Sequence, residues 1–170
     1  MDAAKLRALQ EPLKSRYRQT PAEAALTLRA EGRLGEGVTC SVETGRALVE
    51  AGLHPATGGD GLAACSGDML LQALVACAGV TLRAVATALA LPITGGSVRA
   101  EGDLDFRGTL GVDKQAPVGF KAIRLQFELE GNASDEQLAN LLRLTERYCV
   151  VFQTLKQSPS LTIGHTLAAG

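Results

Sequence analysis

The stretch SGDMLLQALVACAGVTLRAV, residues Ser66–Val85, decides the fold of this 170-residue chain. It is almost wholly apolar, and the apolar pattern continues to Leu91, where Pro92 stops it. Ser66 is a favourable N-cap, and Asp68 places a negative charge in the first turn, where the helix dipole favours it. The stretch therefore predicts one long helix, spanning about 35 Å at 1.5 Å per residue.

Apolar side chains fall on nearly every face of this helix. They include Leu70, Leu74, Cys77, Val80, Val85 and Leu89. A helix that is apolar all round is expected to be buried all round, in a core shared with another element or another subunit. Gln72, Arg83 and the many alanines argue against a membrane span, so the pattern favours a core helix of a soluble protein.

Before the helix, apolar residues alternate with polar ones at a period of two. Residues 26–30 and 38–42 both follow this pattern, which predicts a β-hairpin. The glycine-rich connection Gly32–Gly37 is the predicted turn, and it places Arg33 on a loop. Residues 51–64, with four glycines and one proline between them, predict an irregular connection.

After the helix, the pattern predicts two strands and two helices. The strands cover residues 98–106 and 123–129, each with one polar face. Ser134 is expected to cap a helix, with Gln137 completing a capping box. A shorter helix follows over Cys149–Lys156, and Leu161–Ile163 is expected to add a last strand. This order predicts an α+β domain in which helices pack on antiparallel sheet.

We expect one domain, residues 21–170, preceded by an amino-terminal helical arm, residues 1–20. Leucines and basic residues share the arm, and Pro12 breaks it. Docking against a partner subunit is the favoured role, since Asp2 and Glu11 do not suit a transit peptide. Contact between this basic arm and nucleic acid is the alternative.

Charge and cysteine content exclude several classes of function. The 17 basic and 18 acidic residues give a net charge of -1, so we expect no attraction to nucleic acid or to an anionic membrane. Four cysteines without a signal peptide do not suggest a secreted disulfide scaffold, which favours a cytoplasmic protein. His54 and His165 are too few and too far apart for a zinc site, and we expect neither a metal nor a cofactor.

The cysteines are the candidate reactive groups. On the surrounding residues alone, Cys77 is best explained as a small buried hydrophobe. Cys149 follows Arg147 and Tyr148 near a helix start, and a reactive thiolate or an inert thiol fits it equally well. Cys40 is expected in the core and Cys65 is expected to be a spectator.

Two motifs together resemble one protein family. The stretch Ser66–Val85 and the sequence ERYCVVFQTLK, Glu146–Lys156, are similar in order and spacing to the two cysteine motifs of the OsmC/Ohr family, the osmotically inducible and organic hydroperoxide resistance proteins. The resemblance implies an OsmC-like fold, with antiparallel β-sheets packed around a long buried central helix. It also implies an intertwined homodimer with its sites at the subunit interface.

The same resemblance implies a peroxidase that reduces organic hydroperoxides in two steps and is reset by an external dithiol. Cys77 corresponds to the cysteine that attacks the peroxide, and Cys149 to the one that resolves the resulting sulfenic acid. Arg33 matches the loop arginine that activates the thiol. The glutamate that partners this arginine has no counterpart here, because Gly67 takes its place and Asp68 follows.

The departure at Gly67 motivates an alternative function. The same fold and cavity would then hold an apolar or thiol ligand without efficient peroxide reduction.

Overall fold

The computed structural model describes residues 49–111 and 113–167 in full, the backbone of residues 32–34, 39–43 and 48, and residues 2–5, 8, 10–11 and 19. Four strands form the first sheet, in the order β1-β2-β3-β4. They are β1 (Gly32–Leu34), β2 (Thr39–Glu43), β3 (Leu48–Gly52) and β4 (Ala64–Cys65). The first three pair antiparallel, and β3 pairs parallel with β4.

The hairpin prediction puts the turn at the wrong residues. Residues 32–34 were predicted as turn but form β1, which pairs with β2 so that Arg33 lies opposite Ser41. Arg33 is therefore on a strand and not on a loop. The predicted first strand, residues 26–30, lies outside the described residues. Cys40 lies on β2, between Leu34 and Ala51 of the neighbouring strands, and its burial stays a prediction.

The predicted irregular connection contains more structure than its glycines suggest. Residues 51 and 52 complete β3, Pro55–Thr57 form one turn of 3-10 helix, and Ala64 and Cys65 form β4. The parallel pairing of β3 with β4 fixes the chain immediately before the long helix. This short strand thus determines where that helix begins.

The long helix, α1 (Ser66–Ala88), has the predicted length, but its N-cap is Cys65, with Ser66 as its first residue. Only one side of the helix is buried. The buried residues on that side are Leu74, Ala78, Leu82 and Ala86. Within the single chain Val80 is 72% exposed, so burial of the helix on every face would need a second subunit and stays a prediction. By length and composition alone α1 could cross a membrane, yet its buried side packs against a strand and two helices of the same chain.

The second sheet is an antiparallel pair, β5 (Ile93–Asp103) and β6 (Ala122–Gly131). Its polar face is confirmed by a cross-strand ion pair in which Arg124 donates to Asp103 at 2.8 Å. The first predicted strand extended too far, because Phe106 begins a short helix, α2 (Phe106–Thr109), capped by the Asp105 side chain.

The last two helices are α3 (Asp135–Tyr148) and α4 (Val150–Lys156). The capping box predicted for α3 is present, since Ser134 and Gln137 each accept a backbone N–H of the other. Residues 157–167 contain no strand, so the last strand predicted at Leu161–Ile163 is wrong for the single chain.

Two apolar clusters hold α1 to the other elements. The first joins Leu82, Ala86, Ile93 and Leu141. The second joins Leu74 and Ala78 to Cys149, with Cys77 packed against them. The core of this part of the fold therefore contains both candidate cysteines.

The amino-terminal arm is described only in part. Residues 3–5, 8, 10–11 and 19 are helical. The boundary of the arm at residue 20 and its docking role stay predictions.

Candidate functional site

Cys77 lies in the middle of α1, on the side that faces α4 and the second sheet. It is partly buried and packs against the cluster of Leu74, Ala78 and Cys149. One turn later, the Thr81 hydroxyl donates a 2.8 Å hydrogen bond to the Cys77 carbonyl. The helix therefore places this thiol at the edge of the core, where it is partly buried and partly accessible.

Cys149 occupies the junction between α3 and α4. Its backbone ends one helix and caps the next in an extended conformation, with φ -74° and ψ 107°. Its N–H donates to the Thr145 carbonyl at 2.9 Å, and its carbonyl accepts from the Gln153 N–H at 2.9 Å. Only 1% of Cys149 is exposed, so the junction holds a buried and well-ordered thiol.

The two thiols meet across the interface between α1 and α4. Both are free, they pack in one apolar cluster, and each thiol shifts the pKa of the other. The packing of α1 against α4 and α3 brings together residues separated by 72 positions. The structure thus places the two predicted reactive cysteines in one site.

The surroundings of Cys77 favour its thiolate. Burial alone would raise the pKa of this thiol, but the backbone amides of Val151 and Val150, with Cys149 and Thr81, outweigh burial and lower the pKa below its usual value. These amides belong to the first turn of α4, which has no intrahelical acceptor for them. The start of α4 therefore supplies N–H groups that face the sulfur.

Cys149 has the opposite tendency. Burial raises the pKa of its thiol, and the charge of a neighbouring Cys77 thiolate raises it further, although the Phe152 amide partly offsets both. The surroundings therefore favour a negative charge on Cys77 over one on Cys149. The pair consists of one thiol disposed to attack and one disposed to remain protonated.

A cavity of about 270 Å³ opens beside Cys149. Its walls are mainly apolar, and Glu146 and Thr145 provide the polar groups. The lining residues are Ala78, Leu125, Phe127, Leu142, Thr145, Glu146, Cys149 and Phe152. An apolar molecule of modest size could therefore approach Cys149 from this side.

Asp68, one of the two charged residues predicted for the site, is not in this cluster. Asp68 precedes Cys77 by nine residues, about 13 Å along the helix axis and half a turn round it. It lines a separate cavity with Leu71 and Val75. Arg33 lies on β1 in the first sheet, and its contact with Cys77 stays a prediction.

Cys65 is the N-cap of α1 and is partly buried. It lies twelve residues before Cys77, so it is about 18 Å away along the axis. That it is a spectator stays a prediction.

Sequence reasoning missed the groups that lower the pKa of Cys77. Thr81 could have been identified, because a residue four places after Cys77 lies on the same face of a helix. The amides of Val150 and Val151 gave no signal of their own, since every residue except proline has one. Among the described residues, no group of three or more His, Cys, Asp and Glu could hold a metal ion.

Comparison with known proteins gives a consistent family assignment. The family model described as OsmC-like protein matches residues 58–164. No curated protein matches the sequence. Among solved structures, an OsmC-like protein from Mycoplasma pneumoniae is similar with a TM-score of 0.65 at 17% identity, covering 78% of this chain and 89% of its own.

Two further structures carry names that refer to hydroperoxide resistance. An organic hydroperoxide resistance protein OsmC from Legionella pneumophila has a TM-score of 0.61 at 18% identity, covering 78% of this chain and 90% of its own. The organic hydroperoxide resistance protein OhrB of Bacillus subtilis has a TM-score of 0.54 at 16% identity, covering 78% and 93%. At such identities the likeness establishes the fold alone.

Proposed function

Because the chain belongs to the OsmC-like protein family, we propose that it is a thiol-dependent peroxidase that reduces organic hydroperoxides to alcohols. The observation that carries the proposal is the meeting of Cys77 and Cys149. One thiol has a lowered pKa and the other a raised one, and an apolar cavity opens beside Cys149. A two-step thiol cycle needs this combination of a nucleophile, a resolving thiol and an apolar approach.

In the first step, the Cys77 thiolate attacks the terminal oxygen of the hydroperoxide. The O–O bond breaks, the organic oxygen leaves and takes up a proton as an alcohol, and Cys77 becomes a sulfenic acid. In the second step, Cys149 attacks the sulfenic sulfur, a disulfide forms and water leaves. An external dithiol then reduces the disulfide by thiol exchange and restores both thiols.

The proposal assigns supporting roles to two charged residues. Arg33 would stabilise the Cys77 thiolate and position the peroxide, as the resemblance implies. Asp68 would take the place of the glutamate that Gly67 replaces. Since Asp68 lies away from the thiol pair within one chain, the proposal has a partner subunit supply it.

A homodimer is therefore part of the proposed function. The exposed side of α1, which includes Val80, and the apolar residues of the extended tail, Leu161 and Ile163, offer surface for a second copy. We further propose that the protein acts in the cytoplasm, where dithiol reductants keep thiols reduced, and that it uses no nucleic acid, membrane, metal or cofactor.

Variants of the three fully described cysteines test the proposal. The reduced protein is mixed with cumene hydroperoxide and a dithiol, and peroxide consumption is followed. We expect Cys77→Ser to reduce the rate to the uncatalysed background. When the dithiol is omitted, Cys149→Ser should consume one equivalent of hydroperoxide and accumulate sulfenic acid. The matched control Cys65→Ser should retain the parental rate with the dithiol present. Parental turnover by Cys77→Ser would exclude this mechanism.

The second candidate is a binding protein with the same cavity. The replacement of the family glutamate by Gly67 favours it, as does the apolar lining beside Cys149. A tightly bound apolar or thiol ligand in the purified protein, together with thiols that do not react with hydroperoxide, would support this candidate over the peroxidase.

A further inference from the structure

The break between α3 and α4 separates two backbone groups that a continuous helix would pair. In an unbroken helix the N–H of Val150 would donate to the carbonyl of Glu146, four residues earlier. Cys149 interrupts this pattern, because its ψ of 107° is extended and not helical. The N–H of Val150 faces Cys77 instead. The Glu146 carbonyl therefore needs another donor.

The side chain of Gln153 supplies that donor. Its Nε2 donates a 2.7 Å hydrogen bond to the Glu146 carbonyl. The backbone of Gln153 is fixed within α4, since its N–H donates to the Cys149 carbonyl at 2.9 Å and its carbonyl accepts from the Gln157 N–H at 2.9 Å. Gln153 thus belongs to the first turn of α4, while its side chain reaches back to the last turn of α3.

A second contact crosses the same break. The Lys156 ammonium contacts the Glu146 carboxylate at 2.6 Å, but both side chains are about half exposed. Ion pairs between exposed side chains contribute little, because water screens them and ordering two long side chains costs entropy. A backbone carbonyl left without a donor costs more. The hydrogen bond from Gln153 is therefore the contact that stabilises the break.

We propose that Gln153 is a positioning residue: its side-chain amide replaces the Val150 N–H as donor to the Glu146 carbonyl, and so keeps the first turn of α4 directed at Cys77. Without this donor, the Val150 N–H would return to the Glu146 carbonyl and turn away from the sulfur. The inference rests on the proposed function only in taking Cys77 as the attacking thiol.

The inference can be tested without any peroxide. The reduced full-length protein is alkylated with iodoacetamide over a range of pH, and peptide mass analysis follows Cys77. Gln153→Met keeps the length of the side chain and removes its N–H donors. The pH of half-maximal alkylation at Cys77 should rise by up to about one unit, because a hydrogen bond to a charged sulfur is lost.

Two controls belong to this experiment. Gln157→Met makes the same change at an exposed residue at the end of α4, and it should leave the midpoint unchanged. Glu146→Gln removes the ion pair with Lys156 and keeps the carbonyl, so it should not raise the midpoint. Cys149, the titratable group paired with Cys77, is retained in every variant.

A double variant separates positioning from a general loss of stability. Val150→Pro has no N–H that could return to the Glu146 carbonyl. Adding Gln153→Met to it should therefore raise the midpoint by less than Gln153→Met does alone. Equal midpoints in Gln153→Met and the parent, or a full additional rise in the double variant, would overturn the inference.

Hydroperoxide turnover separates this inference from the proposed function. If Gln153→Met raises the alkylation midpoint but the parent consumes no cumene hydroperoxide, the positioning role stands and the peroxidase is wrong. If the parent consumes cumene hydroperoxide but Gln153→Met has the parental midpoint, the peroxidase stands and the positioning role is wrong.

Discussion

At the scale of single residues, the site depends on a difference between two neighbouring thiols. Cys77 has a lowered pKa because amides of α4 and the thiol of Cys149 offset its burial, whereas burial and the Cys77 charge raise the pKa of Cys149. A thiol with a lowered pKa is ionised at lower pH, so its reactivity persists as the pH falls. The proposed nucleophile therefore differs from Cys149 in its surroundings.

This difference predicts the order of alkylation. With iodoacetamide, the rate at Cys77 should reach half its maximum at a lower pH than the rate at Cys149, as followed by peptide mass analysis. Cys149→Ala should raise the pKa of Cys77, because one group that favours its thiolate is lost. The same midpoint for both thiols in the parent would contradict the assignment.

The contribution of the α4 amides can be isolated by Val150→Pro. Proline is tolerated at the first position of a helix and removes one N–H, and the extended Cys149 before it is compatible with proline. The pKa of Cys77 should rise, shown by a higher midpoint of alkylation against pH. Val150→Ala keeps the amide and loses only an exposed side chain, so it should leave the midpoint unchanged.

Sequence reasoning identified both cysteines through the family resemblance, since each lies in a recognisable motif. It could not identify the Val150 and Val151 amides, because their direction depends on how α4 packs against α1. It also placed Arg33 in a turn from its glycine neighbours, whereas pairing with β2 makes it part of a strand. Tertiary pairing overrode a local preference there.

At the scale of elements, α3 sets the position of Cys149, and Leu141 anchors α3 to α1 in the first apolar cluster. Leu141 is fully buried, whereas the adjacent Leu142 is 41% exposed. Leu141→Ala should therefore lower the free energy of unfolding by about 2–5 kcal/mol, measured by urea denaturation. Leu142→Ala is the matched control and should cost clearly less, and equal losses would contradict this packing.

The sequence predicted elements best where local signals were strong. The capping box of Ser134 and Gln137 correctly marked the start of α3. Strand β4 was missed because it has only two residues, too few to show an alternating pattern. Its partner β3 is parallel, so no hairpin turn in the sequence indicates the pairing. The tail at Leu161–Ile163 alternates like a strand, but no strand of the described chain pairs with it.

At the scale of the whole molecule, the exposed side of α1 is an apolar surface that the single chain leaves uncovered. The sequence predicted a helix buried all round, and the single chain buries one side. We therefore expect a dimer in sedimentation experiments and a shift towards monomer in Val80→Asp, since Val80 is 72% exposed. Val118→Asp makes the same change at a loop residue and should remain dimeric. A monomeric parent protein would contradict the proposed assembly.

The central claim is that Cys77 and Cys149 form a working redox pair. Its most direct test is stopped-flow mixing of the reduced protein with cumene hydroperoxide, followed by mass analysis of the products. We expect rapid consumption of one equivalent of hydroperoxide and a disulfide between Cys77 and Cys149. Slow consumption that leaves both thiols free would contradict it.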